Sequence, residues 1–223
     1  MAISNQNLIE YFNSARQRKF SKGELVLAGD DPSGVMCIQK GYVQVYSISD
    51  TGDRYVHILY KNGELFPLIW AVQNIRRRVF YEAASDLIVA EVPKDDFLKF
   101  IKQDPLITFE ILSQLALQFY VFADRLDNLE YKSAYERVAY RIVFLASRFG
   151  KRQNNSVTIE APLTHELIGE SINLSRETVS RQIEKLEENG LLGRKDGLIV
   201  IKDIEKLSKE FSEPVTLNMW GLK

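Results

Sequence analysis

Arg176, Glu177, Ser180 and Arg181 occupy positions i, i+1, i+4 and i+5 of one short segment, a spacing that gathers side chains on one face of an α-helix. These residue types can read base edges. A guanidinium fork matches the two acceptors of guanine, and a carboxylate accepts from the cytosine amino group. Val179, Ile183 and Leu186 recur at spacings of four and three on the opposite side, so the same helix keeps an apolar face for a core. Ser175 is placed to cap it, and Glu177 falls in its first turn, where negative charge suits the helix dipole. Thr164, Ser175 and Thr178 add hydroxyls to the candidate DNA-contacting set.

A helix that enters a groove needs a scaffold. Thr164 can cap a preceding helix whose apolar side carries Leu167, Ile168 and Ile172. Asn173 stands where the chain must turn sharply, and asparagine tolerates the left-handed conformation that ends a helix there. Downstream, Asp196-Gly197 is a two-residue hairpin signal leading into Leu198, Ile199, Val200 and Ile201. Arg194 and Lys195 sit beside that turn, placed for phosphate contacts. Helix, turn, helix and hairpin in this order are the pattern of a winged helix-turn-helix. An ordinary helical hairpin with a solvated Arg/Glu face is the plainer alternative. The cap, the turn residue, the polar face and the wing occurring together favour DNA binding.

The run Ser175-Arg176-Glu177-Thr178-Val179-Ser180-Arg181 closely resembles the recognition helix of the cyclic-AMP receptor protein and fumarate-nitrate regulator (Crp/Fnr) family of bacterial transcription factors. The resemblance extends over nearly the whole chain. It implies that Arg176, Glu177 and Arg181 read a TGTGA-like half-site, whereas Ser180 is similar to the branch that reads TTGAT-like half-sites. The chain combines both patterns. Double-stranded DNA carrying an inverted repeat is thus the implied partner, with RNA polymerase a further one where the protein activates.

The 223 residues suit one large or two modest domains, and a net charge of −1 argues against a nonspecific polycation while leaving room for one basic face. Cys37 is the only cysteine, which excludes an intrachain disulfide and fits a reducing cytoplasm. A single thiol also cannot hold an iron–sulfur cluster, so the cluster of the oxygen-sensing branch is not expected. His57 and His165 are the only histidines and fall in different domains, so neither metal nor haem is expected and no cofactor is assigned. The start of the chain lacks a signal-peptide pattern, and no apolar stretch is long enough for a bilayer, so no membrane partner is expected.

Residues 20–92 read as short strands at 24–28, 35–38, 42–48, 54–60, 79–84 and 87–92, punctuated by Gly29, Gly34, Gly41, Gly52 and Gly63. Such spacing predicts a β-barrel or jelly roll. Gly41-Tyr42-Val43-Gln44-Val45-Tyr46 followed by Gly63-Glu64-Leu65-Phe66 resembles the cyclic-nucleotide-binding β-roll. In that domain a second Gly-Glu-Leu turn holds the ribose, an Arg-Ser pair grips the cyclic phosphate, and a polar pair on the long helix contacts adenine. Here Pro67-Leu68-Ile69, Arg77-Arg78 and Phe122-Ala123 stand at those places. Three groups of ligand contacts are altered, each worth roughly 1–3 kcal/mol, so no response to cyclic AMP is expected. Arg76, Arg77 and Arg78, walled by Trp70, Phe80 and Phe122, form a candidate pocket for a different small-molecule effector with carboxylate or phosphate chemistry. A solvated arginine loop is the plainer reading of the same run.

Beyond Pro93, residues 94–102 form a short helix, and a long helical pattern runs from Pro105 to about Leu129. Leu112, Leu115, Phe119, Phe122, Leu126 and Leu129 recur at alternating spacings of three and four, a coiled-coil seam for a homodimer. The resemblance also makes this helix the dimer interface. A further helix spans Ala134–Phe149, ends at Gly150, and is followed by a polar loop over 151–155. The expected architecture is α+β, with three parts. Residues 1–103 form a cyclic-nucleotide-binding-like effector domain, 104–133 a dimerisation helix, and 134–223 a winged helix-turn-helix. The leading function is a dimeric, effector-gated regulator of transcription located in the cytoplasm. The alternatives are a ligand-independent or protein-regulated DNA-binding regulator with a degenerate β-roll, and a jelly-roll oxygenase. The last would need clustered His and carboxylate ligands, and the β region offers only His57.

Overall fold

The architecture was read from a computed structural model, which describes residues 6–131 and 133–210; the side chains of residues 117, 121, 124, 125 and 127–131 lie outside that description. The chain divides into two compact units, residues 1–122 and 123–223.

In the first unit, α1 (Gln6–Asn13) precedes β1 (Arg16–Phe20), β2 (Leu25–Ala28), β3 (Val35–Lys40), β4 (Val43–Ile48), β5 (Arg54–Tyr60) and β6 (Leu65–Phe66). After α2 (Leu68–Gln73) come β7 (Phe80–Ala83), β8 (Leu87–Val92), α3 (Lys94–Gln103) and α4 (Pro105–Tyr131). Two antiparallel sheets result, in the orders β1-β8-β3-β6 and β2-β7-β4-β5. Between them lies one core, to which Met36, Ile38, Val43, Val45, Phe66, Tyr81 and Val89 contribute. A second core covers the outer face of the first sheet, where Val35, Cys37, Ala90 and Val92 meet Leu8, Phe12, Trp70, Phe97, Ile107 and Ile111 from the helices. Strand β3 thus sends alternate residues into two different cores, and it reads as a continuous apolar run because both its faces are buried.

All six strands read from the sequence are present, with ends shifted by a few residues. Four elements of the first unit lack a sequence counterpart, the short helix α1 among them. Strand β1, Arg-Gln-Arg-Lys-Phe, is a polar edge strand paired to β8 with Arg18 bonded to Glu91 at 3.0 Å. Charged edge strands block further pairing and carry no apolar alternation to detect. Strand β6 is two residues long, and α2 occupies the stretch where a second Gly-Glu-Leu turn was absent.

The second unit opens with α5 (Ala134–Phe149), started by a reciprocal capping box in which Ser133 accepts from the Glu136 amide at 3.3 Å. It continues through β9 (Gly150–Gln153), β10 (Ser156–Ile159), α6 (His165–Ile172), α7 (Arg176–Glu188), β11 (Leu192–Lys195), β12 (Leu198–Ile201) and the short α8 (Ile204–Leu207). The sheet order is β11-β12-β10-β9. The polar loop expected over 151–155 is instead β9 with a tight turn at Asn154, φ 55°. All four residues of β9 are exposed, so the strand forms by pairing with β10 and leaves no hydrophobic signature. Gly150 ends α5, but with extended backbone and not in the left-handed conformation. Among the described residues no helix is long and apolar enough to cross a membrane.

Candidate nucleic-acid interface

Each cap expected for the helix pair is formed. Thr164 accepts from the Leu167 amide at 3.0 Å, and Ser175 accepts from the Thr178 amide at 3.1 Å. Between them Asn173 takes φ 56° and ψ 50°, and the amides of Asn173 and Leu174 both donate to the Gly169 carbonyl. Gly169 is the residue that the sequence reading missed. A Cβ built there would lie 2.4 Å from the Leu174 carbonyl oxygen and 3.4 Å from a Val179 methyl. The two helices approach so closely that only glycine fits. An isolated glycine inside a helical pattern is the signal that could have pointed to it.

Val179, Ile183 and Leu186 are buried, and so are Leu167, Ile168 and Ile172 on α6. That burial fixes the rotation of α7 and turns Arg176, Glu177 and Arg181 outward, all exposed, with Ser180 and Thr178 half-buried beside them. Arg181 donates to Thr178 Oγ1 at 3.4 Å, and Ser180 donates to Glu184 at 3.3 Å. The backbone amide of Glu177 itself, then the Ser175 hydroxyl, hold its carboxyl below the ordinary value of 4.5, so it stays an ionised acceptor.

The wing is a two-residue hairpin with Asp196 at φ 51° and Gly197 at φ 79°, the two left-handed positions of a type I′ turn. Lys195 stands exposed at its tip. Arg194 is tied back to the helices. Its guanidinium lies 3.3 Å from Glu187 on α7 and donates to His165 Nε2 at 2.8 Å. Arginine can only donate, so this ring nitrogen is unprotonated. Partial burial, then Arg194 and Arg176, push the His165 pKa below its ordinary 6.5, against the opposing pull of Glu187 and Glu184. The unfolded chain therefore binds a proton that the folded chain resists. Stability from the neutral ring is present above 6.5 and is lost as pH falls through 6.5 toward the lowered folded value. Unfolding midpoints measured from about pH 7.5 to about pH 5.5 should fall more steeply for the native chain than for His165→Gln, which keeps an acceptor but does not titrate. Equal slopes would show that His165 plays no such part.

In the first unit the arginine run does not converge as the sequence led us to expect. Arg76 donates to the Asp30 carbonyl at 2.9 Å, and Arg78 is exposed. Phe80 stacks on Tyr46 at 5.5 Å and faces away from Tyr81, as strand alternation requires. Phe122 is exposed on α4. Only Trp70 and Arg77 of the expected set line a cavity, of about 80 Å³, in the β-roll; Leu115 and Gln118 of α4 complete it, with His57 and Tyr81.

On α4, Ile107 and Ile111 are buried against the β-roll, whereas Leu112, Phe119, Phe122 and Leu126 are exposed. Leu115 is half-buried and leans on the second core. The Leu129 side chain lies outside the described residues.

The description of a cyclic nucleotide-binding domain matches residues 17–104, and that of a Crp-like helix-turn-helix domain matches residues 136–210. The fumarate and nitrate reduction regulatory protein of Yersinia pestis is 26% identical over 209 residues, covering 93% of this chain and 81% of that one. Among solved structures, FixK2 from Bradyrhizobium japonicum shares the fold with a TM-score of 0.78 at 24% identity, covering 90% of this chain and 99% of that one. A CooA mutant from Carboxydothermus hydrogenoformans does so with a TM-score of 0.79 at 20% identity, covering 96% and 98%.

Proposed function

The chain belongs to the Crp/Fnr family of DNA-binding transcription regulators, which are not enzymes, and from that membership we propose that it acts in the cytoplasm as a homodimer on an inverted repeat. One observation carries the reading. Helix α7 is capped, its apolar side is buried, and its remaining side presents Arg176, Glu177, Ser180 and Arg181 together, flanked by the wing residue Lys195. Such a face fits the major groove, with Arg and Glu reading base edges and Lys195 meeting phosphate. Thr164, Ser175 and Thr178 are occupied as caps or intrahelical partners, so their role is to present that face, with any phosphate contact secondary. Arg194 braces the wing against α6 and α7 through His165 and Glu187.

One recognition helix reads only a few base pairs. Two related by a two-fold axis read half-sites about one helical turn apart, which requires a dimer. The exposed apolar side of residues 104–133 supplies its interface through Leu112, Phe119, Phe122 and Leu126, with Leu115 and Leu129 completing the seam. The β-roll over 1–103 is the effector domain, and its ligand shifts the balance between two orientations of the recognition helices. RNA polymerase is the further partner of an activating complex.

Arg181→Ala should lower specific affinity by about 1–3 kcal/mol and relax the preference at one base position. Lys195→Ala should weaken all sequences alike and reduce the salt dependence of binding by about one ion. Titrations of specific and scrambled duplexes at several salt concentrations separate the two effects. Unchanged specific binding by Arg181→Ala would refute this placement of α7 in the groove.

A further inference from the structure

The cavity in the β-roll has a definite chemical character. Its described lining contains Arg77, Tyr81, His57 and Trp70 and no aspartate or glutamate. Trp70 is only 8% exposed, and its indole N–H, buried, meets no acceptor among the described residues. A buried donor left unpaired is costly, so this N–H is a place for an acceptor atom. Lys94 Nζ lies 5.0 Å from the indole ring centre and adds positive field on that side. Burial pushes the Tyr81 hydroxyl up to about 12, so at neutral pH it too remains a donor.

Arg77 is an exposed residue whose backbone is fixed against β2. Its amide donates to the Gly29 carbonyl at 3.2 Å, and the Gly29 amide donates to Val79 at 2.8 Å. A Cβ at Gly29 would come within 2.9 Å of the Arg77 carbonyl oxygen, so glycine there lets the arginine segment lie directly on β2. Gln118 and Tyr60 add further polar groups to the lining, and Val45, Ile58, Leu68 and Leu115 supply its apolar wall.

Size decides what can enter. A volume of about 80 Å³ is well below the roughly 150 Å³ of a cavity that takes benzene. We propose that this cavity is the binding site for a short-chain organic monocarboxylate of about two to four carbons, its carboxylate between Arg77 and the Trp70 indole N–H and its alkyl end against the apolar wall. The proposal rests on the reading of the β-roll as the effector domain. Leu115 and Gln118 belong to α4, so an occupied cavity acts on the helix that carries the dimer seam.

The chain has two tryptophans, so Trp220→Phe leaves Trp70 as the sole indole reporter in the full-length protein. Fluorescence titration of that variant with acetate, propionate and butyrate should saturate with a dissociation constant of about 1 mM or tighter. Arg77→Gln should weaken binding about tenfold or more. Should Arg77→Gln fail to fold, Trp70→Phe followed by thermal shift gives the same test, with a smaller carboxylate-induced rise in melting temperature than the native chain. Failure of all three carboxylates to saturate, or equal binding of inorganic phosphate or cyclic AMP, would overturn the proposal. Duplex binding is measured on the same samples. Specific DNA binding without any carboxylate effect refutes the ligand alone, whereas loss of DNA binding under every condition refutes the regulator reading beneath it.

Discussion

Gly169→Ala is expected to destabilise the second unit by about 3 kcal/mol, the upper part of the range for overpacking a closely fitted site. The new methyl would sit 2.4 Å from the Leu174 carbonyl oxygen. That oxygen belongs to the turn and not to a flexible side chain, so it cannot swing aside. Moving the turn would stretch the two hydrogen bonds from Asn173 and Leu174 to the Gly169 carbonyl, the latter 3.0 Å long. It would also displace Val179, which is fully buried. For a unit of this size the melting temperature should fall by roughly 10–25 °C. Gly190→Ala is the informative comparison. Gly190 has φ 72° but nothing within 4 Å of a built Cβ, so only the left-handed strain of about 1–2 kcal/mol applies. A Gly169→Ala protein as stable as Gly190→Ala would contradict the close approach of α6 and α7.

Phe119→Glu combined with Leu112→Glu is expected to convert the proposed dimer to monomers and to lower affinity for the inverted repeat about 100-fold or more. In a dimer the second half-site binds at a high effective concentration set by the first, and a monomer loses that gain. Phe119 is 74% exposed and Leu112 58% exposed within the single chain. Neither substitution therefore disturbs the core beneath them, which Ile107 and Ile111 supply. Each introduced carboxylate would have to be buried unpaired in the interface, at a cost of several kcal/mol. Sedimentation velocity gives the oligomeric state, and binding to a single half-site is the control, since it should change little. A dimer that persists in the double variant would place the interface elsewhere.

How much the sequence disclosed depends on how local each signal was. The helix pair and its wing were legible because caps, an Asn at the turn and an Asp-Gly hairpin are short-range signals with fixed geometry. The strands of the β-roll followed from glycine spacing. Strands β1 and β9 were invisible because both are polar and depend on a neighbour to pair with. The arginine run suggests a candidate pocket, yet the cavity takes only Arg77 from it. Alternation sends Phe80 to the other face, Arg76 bonds to a backbone carbonyl, and Leu115 and Gln118 arrive from a distant helix. Contacts of that kind depend on tertiary packing, which no local spacing encodes. Arg194 repeats the lesson. Its position beside the wing turn points to phosphate, and no local spacing shows that Glu187 and His165 also engage it within the unit.

The most direct test of a sequence-specific dimer is selection by the purified full-length protein from a random duplex library, at one fixed salt concentration, with and without added short-chain carboxylate. Enrichment of an inverted repeat whose half-site centres lie about one helical turn apart is the expected result. Arg181→Ala should relax one position in each half. Enrichment of single unpaired half-sites, or no enrichment by protein shown to be folded in either condition, would contradict it.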